Sequence, residues 1–60
     1  MTDEEYTDVR NMTDISLAIH ALQDCSFEEG TKNCADMKEI VASLQRMQQR
    51  LMLKMAEEQA

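Results

Sequence analysis

Apolar side chains return every three or four residues through two stretches of this chain. The polar positions between them mark where each stretch begins and ends. Ile15, Ala18, Ile19, Leu22 and Cys25 follow the spacing of one face of an α-helix. Leu17 and Ala21 widen that face to about half the circumference, which predicts neighbours on two sides. Thr13 or Asp14 would cap this helix by accepting from its unpaired first N–H groups. The second stretch runs from Thr31 or Asn33 to Glu58. It places Met37, Leu44 and Leu51 at heptad position a, and Ile40 and Met47 at d. Val41 and Met55 sit beside them at e, with Cys34 a turn earlier. This pattern predicts a long helix with a wide, coiled-coil-like seam.

Between the two lies "DCSFEEGTKN". Gly30 is the natural point of chain reversal, because it adopts φ > 0 without a Cβ penalty. Ser26 with Glu29 has the spacing of a capping box, so a single helical turn fits inside the linker. Phe27 would plug the end of the helical core. Residues 1–11 are acidic and leave three alternatives. Thr2 with Glu5 is a second capping box and would start a helix. The β-favouring residues of "EYTDVR" would suit a short edge strand, paired with the same segment of a second chain. A frayed acidic tail is the third reading.

Length gives these elements a mismatch. The last helix would be about 39 Å long and the Ile15–Cys25 helix about 16 Å. Folded back as a hairpin, the short helix would leave Met47, Leu51, Met52, Leu53 and Met55 in water. Burying each such side chain is worth about 1.5–3 kcal/mol. Over five residues that rivals the whole stability of a small domain, about 5 kcal/mol at the low end. The expectation is therefore a single small helical domain over residues 1–60. It is mainly α, a two-helix hairpin with a long second helix, paired with a second copy as an intertwined homodimer. The interface would use Ile40, Leu44, Met47, Leu51, Met52 and Met55.

Charge refines this picture. The chain has 60 residues and a net charge of −6. Asp3, Glu4, Glu5 and Asp8 crowd its start, and Arg46, Arg50 and Lys54 form a basic ridge near its end. An acidic chain is repelled by nucleic-acid phosphates and anionic lipid, which excludes direct nucleic-acid or membrane binding as the first expectation. The acidic front suits contact with a partner protein or with the basic ridge of another copy. "MTDEEYTDVR" lacks the basic and apolar start of a secretory signal, and Cys25 and Cys34 are too few for a disulfide framework. The expected setting is reducing cytoplasm with free thiols, a Cys25–Cys34 disulfide being the less favoured alternative.

Candidate chemistry is thin. Ser16, His20 and Asp24 stand at i, i+4 and i+8 on one helix face, where a solvated polar row is the better account than a catalytic triad. His20, Asp24, Cys25 and Cys34 lack the close-spaced pairs that structural zinc uses. No enzyme activity, cofactor or metal is expected. The chain has six methionines. Met37, Met47 and Met55 line the seam, either as core filler or as an adaptable groove for another protein's helix.

"TDISLAIHALQDC" and "MKEIVASLQRMQQRLMLKM" together resemble the small early accessory proteins of lambdoid bacteriophages, which are short, acidic, helical and poor in cysteine. The resemblance implies a non-enzymatic, dimeric factor that acts on a host protein, and carries over no functional residue. Two other readings stand beside it. One is an acidic DNA mimic that blocks a nucleic-acid-binding protein through Asp3, Glu4, Glu5 and Asp8. The other is an amphipathic membrane binder using residues 44–56.

Overall fold

The computed structural model describes residues 2–59. They form α1 (Asp3–Gln23) and α2 (Lys32–Gln59), packed against each other as a hairpin. At 1.5 Å per residue the helices are about 31 and 42 Å long. The hairpin is elongated, 44 × 15 × 11 Å, with a radius of gyration of 14.3 Å. A compact domain of this length would have about 10 Å.

The acidic start is neither strand nor tail. Thr2 caps α1 by accepting from Glu5 N at 3.1 Å, while Glu5 accepts from Thr2 N at 3.3 Å. Asp3, Glu4 and Glu5 then occupy the first turn, where negative charge offsets the helix dipole. Thr13 and Asp14 do not begin a helix but lie inside this one. The Thr13 hydroxyl donates back to Val9 O at 3.1 Å, so it is satisfied without breaking the ladder.

Asp24 ends α1, donating from its backbone to His20 O, and Cys25 N tightens the exit by donating to Leu22 O. No helical turn forms at Ser26–Glu29. The start of α2 is set instead by Thr31. Its hydroxyl accepts from Cys34 N at 3.2 Å and donates to Glu28 O at 2.6 Å. Gly30 makes the reversal with φ 85°. A Cβ there would meet nothing within 4 Å, so substitution is felt through the backbone alone. Gly30→Ala is expected to cost about 1 kcal/mol. That lowers the melting temperature by roughly 4–8 °C in a scanning experiment. Gly30→Asn is expected to cost less, because Asn tolerates the left-handed region.

A 3-4 repeat joins the helices. Glu5, Asp8, Met12, Ile15, Ile19 and Leu22 of α1 are buried or half-buried, and so are Cys34, Met37, Val41, Leu44, Gln48, Leu51 and Met55 of α2. Among the described residues, Ile19, Cys34 and Val41 are the buried apolar ones, and no side chain is fully enclosed. Two corrections to the heptad reading follow. Val41 and Met55 sit in the seam rather than at its edge, and Ile40 and Met47 lie outside it. The length mismatch also shrinks, because α1 begins ten residues before Thr13. Leu51 and Met55 are thereby half-covered within one chain, while Met47, Met52 and Leu53 stay exposed. Phe27 does not plug the core and is exposed at the tip of the hairpin.

Candidate functional site

Two features stand out from the fold, a charged cluster at the open end and an apolar strip along one flank.

At the open end, Asp8 takes a seam position that the repeat would give to an apolar residue, and only 4% of it is exposed. A buried carboxylate is costly unless a cation meets it. Lys54 of α2 supplies that cation. Its ammonium lies 3.3 Å from Asp8 Oδ1 and 3.2 Å from Oδ2. Only the first contact has hydrogen-bond geometry, so Oδ2 is held by charge alone. Glu4 Oε1 is 3.0 Å away and Glu58 Oε1 3.9 Å. Hydrogen bonds to Glu4 first, and to Asp8 next, hold the Lys54 ammonium above its ordinary pKa.

Glu4, Asp8 and Glu58 bring oxygens within 4.8 Å of one another, which is a ligand-like grouping. The lysine already stands among these carboxylates and neutralises part of their charge, so the cluster works as an interhelical tether. His20, Cys25 and Cys34 form no such grouping among the described residues. Both thiols are free, with Cys25 exposed and Cys34 buried. Ser16, His20 and Asp24 run along α1 with no side-chain hydrogen bond joining them among the described residues. Ser16 is half-buried and His20 exposed.

The structure thus divides the acidic group. Asp3, Glu4 and Glu5 belong to the first turn of α1, and Asp8 faces inward. It divides the basic ridge as well. Lys54 is engaged within its own chain, Arg46 donates to Ser43 Oγ at 2.9 Å, and Arg50 lines the flank described next.

That flank carries three adjoining depressions. Leu22, Phe27, Met37 and Ile40 line one near the hairpin tip. Asp36, Glu39, Ile40, Ser43 and Leu44 line the next, of about 380 Å³. Asn11, Asp14, Ile15, Met47, Arg50, Leu51 and Lys54 line the third, of about 460 Å³. Phe27, Ile40 and Met47 project from this strip with 40%, 49% and 41% of their surface exposed.

No protein-family model, curated protein or solved structure matches this chain.

Of the expected interface residues, Ile40, Leu44, Met47 and Leu51 converge on this flank. Met55 belongs to the intrachain seam, and Met52 is exposed away from these depressions. Phe27, Leu22 and Ile15 were not assigned to the surface from sequence. Helical spacing places Ile15 and Leu22 on one face, but their shared edge with α2 appears only once the hairpin register is known. No helix is long and apolar enough to cross a membrane among the described residues.

Proposed function

We propose that this protein works by association rather than catalysis. It is a small, self-associating interaction factor that regulates a protein partner, and the Phe27–Ile40–Met47 flank is the surface through which it self-associates. The observation that carries this reading is the unpartnered strip itself. Large apolar side chains stand exposed in one row, backed by half-buried Leu22, Met37, Leu44 and Leu51. A contiguous apolar surface of this kind marks an association site on a soluble chain.

Surface area supports the same reading. A folded monomer of 6.9 kDa exposes about 4,000 Å². This chain exposes 4810 Å². The excess, about 800 Å², is what each partner of a standard interface buries. An acidic DNA mimic is less favoured, because Lys54 already engages two of its four carboxylates, Glu4 and Asp8.

Sedimentation equilibrium from about 1 to 100 µM tests the reading, since a self-associating chain gains mass with concentration. Wild-type protein is expected to exceed the 6.9 kDa of one chain. Met47→Asp should return it to monomer mass with its helical circular dichroism retained. A wild-type chain of monomer mass across the whole range would overturn the reading.

A further inference from the structure

We infer that the flank is occupied by a second copy of this chain, with the two α2 helices antiparallel and crossing at Ser43. This rests on the association reading above and specifies its partner and register.

The charge pattern carries the inference. Asp36 and Arg50 lie seven residues either side of Ser43, and both line the flank. Ile40 and Met47 lie three residues before it and four after. A two-fold axis through Ser43, perpendicular to the helices, sets Asp36 of each copy against the partner copy's basic end. The same axis brings Ile40 of each copy to the depression beside Met47 and Leu51 on the other. Glu39 is added to the acidic end, while Arg50 is the cation of the other end, since Lys54 is engaged within its own chain.

A parallel pairing would set acid on acid and base on base, which costs free energy at an interface. Antiparallel pairing makes two identical, mutually attractive halves, which is the self-complementarity that a two-fold interface requires. The product is a four-helix bundle of two hairpins.

Charge reversal tests the register. Asp36→Arg alone and Arg50→Asp alone should each weaken the dimer roughly tenfold or more by sedimentation equilibrium. The double variant should recover to within about threefold of wild type, because the reversed charges again meet their opposites. Circular dichroism confirms that each variant stays helical.

A second measurement does not depend on charge. In a Cys25→Ser background, a mixture of Asp36→Cys and Arg50→Cys chains should form a disulfide between copies under oxidised glutathione, and neither variant should do so alone. Single reversals that dissociate like wild type would overturn the antiparallel register while leaving association intact. So would efficient crosslinking of Asp36→Cys with itself. A wild-type monomer would instead remove the association reading on which the register rests.

Discussion

Ile19→Ala is expected to remove a large share of the protein's folding stability at 25 °C. Ile19 is 7% exposed and is buried, like Cys34 and Val41, in a core that encloses no side chain completely among the described residues. Removing buried methyl and methylene groups of this kind costs about 2–5 kcal/mol, from lost transfer energy and the cavity left behind. Small domains have about 5 kcal/mol to lose at the low end. A two-helix hairpin with so few buried apolar residues belongs there, so one truncation removes much of its margin. Urea titrations followed by far-UV circular dichroism, at one fixed protein concentration, check this. Leu17→Ala is the matched control. Leu17 is 63% exposed on the same helix, and its truncation should change stability by no more than about 0.5 kcal/mol. Equal losses at the two positions would mean that Ile19 is not a core residue.

Lys54→Met is expected to produce the second large effect, through the carboxylate it abandons. Asp8 stays inside the helix–helix seam, and without the ammonium no other cation among the described residues lies against it. Lys54 is 43% exposed, so solvent screens the pair in part, but Asp8 is buried, and leaving a buried carboxylate without its cation is more damaging than replacing both partners by apolar groups. The melting temperature should fall by roughly 5 °C or more in Lys54→Met. It should recover in the Asp8→Leu/Lys54→Met double variant, which completes the apolar repeat. Simple additivity of the two changes would show that the contact carries no coupling.

The pH dependence has a definite sign. A cation whose pKa is raised in the folded state stabilises it fully below the ordinary value of 10.5. That stabilisation is lost as pH rises through the higher folded value. Wild-type melting temperature should therefore fall across this alkaline range more steeply than that of Lys54→Met. Identical slopes would remove the electrostatic account of the tether.

The same pair explains why the front of the chain reads ambiguously. Asp8 holds a seam position, so the apolar repeat of α1 becomes visible only from Met12 onward. The first helix then looks ten residues too short. The one local signal that survives is the Thr2–Glu5 capping box, which does start the helix. Gln48 has a similar effect in α2. It occupies the seam between Val41 and Met55, and its polarity shifts the heptad frame toward Ile40 and Met47. Those two residues have the same spacing as the true seam and differ only in which way they face. Phe27 looks like core by type, but at the hairpin tip it lines an open depression with Leu22, Met37 and Ile40 and stays 40% exposed.

Local chemistry in the sequence determines the two helices, the caps at Thr2 and Thr31 and the reversal at Gly30. Each depends on contacts a few residues apart, or on backbone freedom at one position. Which of two equivalent apolar stripes on α2 meets α1, and which remains on the surface, was decided only by tertiary structure. That choice shows in contacts between residues far apart in the chain, such as Lys54 and Asp8, 46 positions apart. The contact between Lys54 and the buried Asp8 belongs to one register of the two helices, and spacing along either helix alone does not contain it.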